Sequence, residues 1–419
     1  MTDSLSRAYA ERLDAADPLA GFRSRFVVPD EDLRYLDGNS LGRLPRATVD
    51  RLATVATEEW GRGLVRSWSD WITLSRRVGD LIAAEIVGAR PGEVVVSDST
   101  TVNLYKLAAA ALDARPGRTV VLGTADDFPT DRYVLQGLCE ARGLTLREVP
   151  TDIDSGVSAE DVRSALDSSV ALVVLSQVAY RSGALADLPA ITAAAHSAGA
   201  LVLWDLSHSG GSVPVGLTAA GADLAVGCTY KYLNGGPGAP AYLYVRRELQ
   251  EGLRQPVQGW FGAADQFGMA ERYVPAPGID RFLVGTPPVV AVAAVEEGVR
   301  LLAEAGVDRL RTKGMAMTSY LLSLADAWLA PLGFRLASPR DPARRGSHIT
   351  LAHPRAWQVC QALLDRGVVP DYRTPSRLRL GPAPLTTRYV DVWEAMTVVR
   401  EVVACGAHLS YPAVPGRVT

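Results

Sequence analysis

The sequence predicts an α/β fold with a mainly parallel central sheet, helices on both faces and a smaller C-terminal α+β domain. Six apolar runs of strand length follow one another, at 119–123, 144–150, 171–176, 200–205, 224–228 and 241–245. Helical patterns separate several of these runs, and strands that alternate with helices indicate βαβ units in a parallel sheet. Long helical patterns from residue 289 lead to two further strand-like runs, 348–353 and 376–382, which predict the second domain.

The chain is predicted to have three parts. Residues 1–50 are an irregular arm that ends in the turn-rich YLDGNSLGRLP. Residues 51–288 are the large domain, where GEVVVSDSTTVNLYKLAAAALDA predicts a strand, a polar turn and a helix. Residues 250–288 within it are rich in proline, glycine and aromatic residues and are predicted to be loops. Residues 289–419 are the small C-terminal domain.

Composition and charge argue against several classes of protein. The 419 residues carry 43 basic and 46 acidic side chains, a net charge of −3, so neither nucleic acid nor an acidic membrane is an expected partner. No uninterrupted apolar run reaches the roughly 18 residues of a membrane span, and the polar N-terminus lacks a signal-peptide core. The four cysteines have no CxxC spacing, which predicts a cytoplasmic protein without a zinc site.

Lysine is rare in this chain, which narrows the search for a reactive amine. Lys106, Lys231 and Lys313 are the only lysines among 43 basic residues. Arginine is not deprotonated in proteins, so it cannot replace a lysine that acts as a nucleophile. Lys106 and Lys313 lie in helical patterns and are predicted to be solvated charges. Lys231 lies between two tyrosines, after an apolar strand and before the glycine-rich LNGGPGAP, where it can act as nucleophile and base.

Three further features lie where α/β proteins bind ligands. Thr100 and Thr101 begin a predicted helix, as a phosphate site or as part of an ordinary N-cap. Asp205 ends a strand, three residues before His208, and either caps the next turn or faces a ligand. Opposite a pyridine ring, its carboxylate would keep the ring nitrogen protonated. Arg379, on a late strand, is either a carboxylate-binding group or a surface charge. Together with the reactive lysine, these features indicate a pyridoxal phosphate enzyme that acts on an amino acid.

Several motifs also carry a resemblance to a known family. YLDGNSLGRLP, SDSTTVNL, FPTDRY, DLSHSGGSVP, YKYLNGG, GWFG and GTPP occur in this order. Through them the chain, from residue 35 to residue 385, resembles the kynureninases, fold-type I pyridoxal phosphate enzymes of the class V aminotransferase group. The resemblance implies hydrolytic cleavage of the Cβ–Cγ bond of L-kynurenine to anthranilate and L-alanine, in tryptophan catabolism and NAD biosynthesis. It also implies a homodimer whose active sites lie at the subunit interface and receive residues of the arm.

The resemblance implies a role for each matching residue. Lys231 would hold the cofactor through its amine, Asp205 would pair with the pyridinium nitrogen, and Tyr230 would relay protons. The residues expected to bind the cofactor are Thr100, Thr101, Phe128, Asp131, Ser176, Asp205, His208, Tyr230, Lys231 and, from the partner subunit, Trp260 and Thr286. The residues expected to bind the substrate are Arg379, on the α-carboxylate, and Asn39, Ser40 and Trp68.

Two positions depart from the family pattern. Gln177 stands where members often have histidine, and Thr286 where members that favour 3-hydroxykynurenine tend to have asparagine, which favours unsubstituted kynurenine here. The alternatives are cleavage of a ring-substituted or 3-hydroxylated kynurenine in secondary metabolism, and an aminotransferase, which would need an amino acceptor. A cysteine desulfurase needs a cysteine on a mobile loop, and an inactive scaffold would have lost residues that this chain retains.

Overall fold

A computed structural model describes residues 3–414 and Gly416. Its strands are β1 (Arg34–Tyr35), β2 (Val94–Val96), β3 (Val120–Thr124), β4 (Thr145–Val149), β5 (Val170–Ser176), β6 (Leu201–Asp205), β7 (Leu224–Gly227), β8 (Tyr242–Val245), β9 (Arg335–Leu336), β10 (Ile349–Ala352), β11 (Val368–Val369), β12 (Asp371–Arg373) and β13 (Arg377–Leu380). Each apolar run that predicted a strand forms one.

The helices cover both faces of the main sheet and most of the C-terminal part. The α-helices are α1 (Arg7–Ala15), α2 (Arg46–Thr54), α3 (Trp68–Trp71), α4 (Leu74–Ile82), α5 (Thr100–Asp113), α6 (Pro129–Arg142), α7 (Ala159–Ala165), α8 (Leu188–Ser197), α9 (Arg247–Gln250), α10 (Val289–Ala305), α11 (Val307–Leu324), α12 (Ala356–Leu364) and α13 (Tyr389–Ala404). Wider π turns extend three of them, at Val55–Gly63, Ala83–Val87 and Ala325–Leu329. Short 3-10 helices lie at Asp3–Leu5, Ala20–Arg25, Leu64–Ser67, Trp260–Gly262, Gly278–Phe282, Ala330–Leu332, Pro342–Arg344 and Ala407–Ser410.

The main sheet of the described chain has the strand order β2-β8-β7-β6-β5-β3-β4. The pairs from β7 to β4 are parallel, and β8 runs antiparallel to both of its neighbours. Strands β5, β6 and β7 are apolar along nearly their whole length because helices cover both faces of a parallel sheet. The predicted α/β fold with a mainly parallel sheet is confirmed.

The arm is more regular than its sequence predicts. Helix α1 forms where an irregular segment was expected, because Ser6 caps it by accepting the backbone N–H of Tyr9 at 3.1 Å. Its far end meets the C-terminal part of the chain, where the Asp14 carboxylate accepts the N–H groups of Tyr389 and Val390. The beginning of the arm is therefore anchored to α13.

The C-terminal part has its own core, built from α11, α12 and α13 against the antiparallel sheet β12-β13-β10-β9. Helix α10 packs instead into the core of the main sheet through Val292, Val295 and Val299. Helix α2 runs across residue 50. The division of the chain at residues 50 and 289 stays a prediction.

Between residues 3 and 414, no helix is long and apolar enough to cross a membrane.

The prediction of solvated charges at Lys106 and Lys313 is wrong. The Lys106 side chain has no exposed surface, and its Nζ donates to Asp98 Oδ2 at 2.6 Å and to the Phe282 carbonyl at 2.8 Å. Lys313 Nζ lies 2.6 Å from Asp17 Oδ2. Tertiary packing covers the helix faces that carry both amines, which a local helical pattern does not reveal. Burial lowers the pKa of both lysines, and the paired carboxylates oppose this shift.

Candidate active site

One cavity lies at the carboxyl ends of the parallel strands, where α/β proteins bind ligands. Nine of the residues predicted to bind a cofactor line it, and so do four further residues. The nine are Thr100, Thr101, Phe128, Asp131, Ser176, Asp205, His208, Tyr230 and Lys231, and the four are Ser99, Thr130, Tyr180 and Ser207. The fold therefore brings together segments separated by up to about 130 residues of chain.

The start of α5 forms an anion-binding end of this cavity. Ser99 Oγ accepts the N–H of Val102 at 3.3 Å, so the helix does have an ordinary N-cap. The N–H groups of Thr100 and Thr101, in the first turn, remain available to a ligand. Because the helix dipole also favours an anion there, this end fits a phosphate group. The N-cap is therefore confirmed, and the phosphate site at Thr100 and Thr101 stays a prediction.

Two interacting carboxyl groups, Asp131 and Asp205, line the cavity. Asp205, at the end of β6, accepts the N–H of Ser207 on Oδ1 at 2.8 Å. Burial, and next the charge of Asp205, raise the pKa of Asp131 well above its ordinary value. Asp131 Oδ2 is buried without a hydrogen-bond partner. The raised pKa of Asp131 favours its neutral form, and a negative charge shared by such a pair suits a cationic ring nitrogen.

The amine of Lys231 lines the cavity and is the candidate reactive group there. No carboxylate of residues 3–414 lies within ion-pair distance of Lys231, in contrast to the other two lysines. Its Nζ lies 3.4 Å from both ring nitrogens of His208 and 5.9 Å from the centre of the Phe128 ring. Burial lowers the pKa of Lys231, and it lowers the pKa of His208 well below its ordinary value, so the imidazole is neutral. A lowered pKa increases the fraction of neutral, nucleophilic amine.

The loop 37–42 of the arm packs directly on the loop that carries the lysine. The N–H of Gly42 donates to the Tyr230 carbonyl at 2.8 Å. A Cβ on Gly42 would overlap the Lys231 carbonyl oxygen and the Asn234 side chain, and a Cβ on Gly381 would overlap the Asn39 side chain. These close approaches explain the glycines of the DGNSLG and LRLGP motifs.

Arg379 lies next to the cavity and is 1% exposed, so it is not a surface charge. Its Nη1 donates to the Tyr180 carbonyl at 2.7 Å, and its Nη2 donates to Ser40 Oγ at 2.7 Å. With its amide oxygen turned toward the guanidinium, Asn39 accepts from Nε at 2.9 Å. Three predicted substrate-binding residues, Arg379, Asn39 and Ser40, therefore form one cluster. Their role toward a substrate stays a prediction.

Three other predicted residues do not line this cavity. Trp260 is 41% exposed, and Thr286 is exposed as well. Trp68 packs on Phe261, with ring centres 6.3 Å apart, and Phe261 in turn contacts Trp260. Trp68 thus belongs to the same aromatic group as Trp260, and the expectation that it lines the substrate site is not met within one chain.

Gln177 lies just outside the cavity. Its backbone N–H donates to the Asp205 carbonyl at 3.0 Å, while its buried Oε1 has no hydrogen-bond partner in the structure. The hydrogen bond from position 177 to Asp205 is a backbone bond, so it does not depend on the side chain at that position.

Sequence reasoning missed several residues that shape the site. Asp127 accepts the N–H of Ser176 at 3.2 Å, and burial raises the pKa of Asp127 to about 6. Ser207 Oγ accepts the N–H of Cys228 at 3.3 Å, which ties the ends of β6 and β7. Tyr180 contacts Phe128 edge to face, with ring centres 5.2 Å apart. Asp127 and Ser207 each lie one or two residues from a residue that was singled out, which is the signal that could have found them.

Comparison with known proteins decides the family. The model of the kynureninase C-terminal domain matches residues 310–399. The chain is 45% identical to a kynureninase of Pseudomonas fluorescens over 93% of this chain and 94% of that protein. It is 44% identical to a kynureninase of Burkholderia pseudomallei over 95% of both chains. This chain belongs to the kynureninase family.

Solved structures show which fold this kynureninase-family chain shares with more distant proteins. The apo structure of a cysteine desulfurase from Thermococcus onnurineus has a TM-score of 0.81 at 18% identity and covers 92% of this chain and 98% of that one. A mutant of C-DES with glycine covalently linked to its PLP cofactor has a TM-score of 0.78 at 16% identity. It covers 89% of this chain and 99% of that one. At these identities the likeness shows the fold alone, which is that of fold-type I enzymes.

The contact between the two loops of the kynureninase-family site can be tested by Gly42→Ala. The added methyl group would push the loop 37–42 away from Lys231, at a cost of about 1–3 kcal/mol. We expect the affinity for pyridoxal phosphate to fall about tenfold or more, measured by absorbance titration of the apoprotein. Gly21→Ala is the matched control, because no atom lies within 4 Å of the added Cβ. Equal affinities in the two variants would contradict a tight loop contact.

Proposed function

We propose that this protein uses pyridoxal phosphate to hydrolyse L-kynurenine to anthranilate and L-alanine. The observation that carries the proposal concerns two groups beside one cavity. One is the partly buried amine of Lys231, which has no carboxylate partner among residues 3–414, and the other is the buried guanidinium of Arg379. This arrangement occurs in a chain 45% identical to a curated kynureninase. A substrate that forms an imine and carries an α-carboxylate fits both groups.

The residues of the cavity fit the cofactor from end to end. The first turn of α5, with Thr100 and Thr101, would hold the phosphate, and Asp205 would hold the ring nitrogen. The phenyl ring of Phe128 would lie against the pyridine ring. When bound, the group supplies an electron sink for negative charge that develops on the substrate.

Lys231 moves the proton at the substrate α-carbon. Its lowered pKa increases the fraction of neutral amine, which is the form that can accept that proton. His208 is neutral because its pKa is lowered well below the ordinary value, so it does not repel the protonated amine that results. The α-proton is thus held beside the reacting carbons.

Tyr230 serves the hydrolytic half of the reaction. Burial raises the pKa of Tyr230, so its hydroxyl keeps its proton and can donate it. Water adds to the γ-carbonyl of the substrate, and the Cβ–Cγ bond breaks with its electron pair on Cβ. Cβ then takes a proton, and anthranilate leaves from the Cγ side. Tyr230 lines the cavity and is the group we assign to relay protons at these two positions.

Lys231→Ala tests the central role of the amine. We expect turnover of L-kynurenine to fall by more than about a thousandfold, because both the nucleophile and the base are lost. Anthranilate release is followed by its fluorescence, with 3-hydroxykynurenine run in parallel. The control is Arg163→Ala, which removes an exposed helix charge. Substantial turnover in the Lys231 variant would refute the assignment.

Arg379→Lys tests recognition of the α-carboxylate. A lysine keeps the charge but loses the planar pair of donors, so KM should rise about ten- to a hundredfold while kcat changes much less. Steady-state kinetics at several concentrations of L-kynurenine separate the two constants. An unchanged KM would sink this role for Arg379.

We further propose that the enzyme is a homodimer whose sites share residues. The aromatic segment around Trp260 is exposed, with Phe267 at 67% and Met269 at 73%. A separate apolar groove of about 820 Å³ is lined by residues of the arm and of the start of α10, among them Leu44 and Val290. A second copy of the chain would cover both surfaces and would bring the partner's Trp260 to the cavity.

Mixing two inactive variants tests the shared site. If Trp260 acts in the partner's site, co-refolded Lys231→Ala and Trp260→Ala chains form heterodimers with one intact site each. Random pairing then restores about a quarter of the wild-type sites. A mixture of Lys231→Ala with Asp205→Asn is the control, since both residues serve the site of their own chain. A lack of recovery in both mixtures would rule out sharing through Trp260.

We place the protein in the cytoplasm, in tryptophan catabolism and the supply of NAD precursors. Cys139, Cys228, Cys360 and Cys405 are all free thiols in the structure, which suits a reducing compartment.

A further inference from the structure

Four charged side chains lie together at the substrate end of the site: Arg379, Arg373, Asp371 and Asp37. Asp371 contacts Arg379 directly, and its Oδ2 also lies 2.9 Å from Nη2 of Arg373. Asp37, on the arm, places Oδ1 3.7 Å from Nη2 of Arg379. Two positive and two negative charges therefore balance before any substrate binds.

The donors of Arg379 are already engaged. Nη1 donates to the Tyr180 carbonyl, Nη2 contacts Ser40 and Asp371, and Nε faces the Asn39 amide oxygen. A substrate carboxylate that binds this guanidinium adds a third negative charge to the cluster. An uncompensated charge in a buried site is costly, so one of the neighbouring groups must adjust.

Asp37 is the group that can adjust. Its Oδ1 is buried and has no hydrogen-bond partner, and only 17% of its side chain is exposed. Asp371, in contrast, is in contact with two arginines, Arg373 and Arg379. Burial raises the pKa of Asp37 to about 6, Arg379 opposes that shift and Asp371 adds to it. The other titratable or charged groups that act on Asp37 or feel its charge are Arg373, Tyr35, Tyr232 and Cys360.

We propose that Asp37 takes up a proton from solvent as the substrate carboxylate binds Arg379, which keeps the cluster neutral. The step forms one O–H bond on the Asp37 carboxylate, and solvent loses one proton. The inference rests on the proposed function, because it assumes that Arg379 receives the α-carboxylate of the substrate. Asp37 thus acts as a charge-compensating residue, and substrate affinity is linked to pH.

The direction of the linkage follows from which state binds the proton. Below a pH of about 6, Asp37 carries the proton in both the free protein and the complex, and the affinity for the substrate is highest. Above that pH the free protein loses the proton while the complex retains it. Affinity therefore falls up to about tenfold per pH unit until the complex also loses its proton.

The test uses the holoenzyme and the desamino analogue of kynurenine, which keeps the carboxylate, the ketone and the aniline but cannot form an imine. Calorimetry at pH 7 in two buffers of different ionisation enthalpy measures the protons taken up when the analogue binds. The affinity for the analogue is then measured from about pH 5.5 to about pH 8, the range in which Asp37 is expected to change its protonation state. Cofactor absorbance in the same titration reports any protonation at the lysine linkage.

We expect the wild type to take up close to one proton per analogue bound, beyond any change at the lysine linkage. Asp37→Asn should show no such uptake and a flat affinity across the pH range. Asp32→Asn is the matched control on the same arm, since its side chain is 96% exposed, and it should behave as the wild type.

Two results would overturn the proposal: no proton uptake in the wild type, or the same uptake in Asp37→Asn. Neither affects the reaction itself, which the release of anthranilate from L-kynurenine reports separately. If the analogue binds equally well to Arg379→Lys, the carboxylate assignment fails instead, and with it the basis of the proposal. The three outcomes are therefore distinguishable.

Discussion

The site depends on a contact between two stretches of backbone, the loop 37–42 and the loop that carries Lys231. Glycine at position 42 allows the arm to lie against the lysine carbonyl, and its N–H joins the arm to Tyr230. This contact also sets Asn39 and Ser40 against the guanidinium of Arg379. A segment remote in sequence thereby joins the sheet edge to the C-terminal strands.

Charge pairing distinguishes Lys231 from the other buried cations discussed above. Lys106 and Lys313 are buried against Asp98 and Asp17, and Arg379 is buried against Asp371. Each of these cations is held by an opposite charge, which compensates for the loss of water. Within residues 3–414, Lys231 has a neutral imidazole as its nearest polar partner instead. Its amine is therefore available for chemistry.

Much of the fold and of the site could be predicted, for identifiable reasons. Buried parallel strands leave continuous apolar runs, and the polar residues that follow those runs converge at one sheet edge, as Asp205 and Lys231 do. The burial of Lys106 could not be predicted, since its helix looks amphipathic until the Phe282 segment covers it. Asp37 was overlooked because its environment comes from Arg379, more than 300 residues away. Residues expected from a second subunit lie beyond what one chain can position.

The scarcity and burial of lysine have a practical consequence for handling the protein. Two of the three lysine side chains are enclosed in ion pairs, and the third opens into the cavity. Reagents that acylate amines, and supports that couple proteins through lysine, would find hardly any surface to attach to on the folded chain. If Lys231 holds the cofactor as proposed, the one lysine they can reach is blocked once the cofactor is attached. Covalent tagging of this amine would therefore count empty sites, and immobilisation would need another side chain.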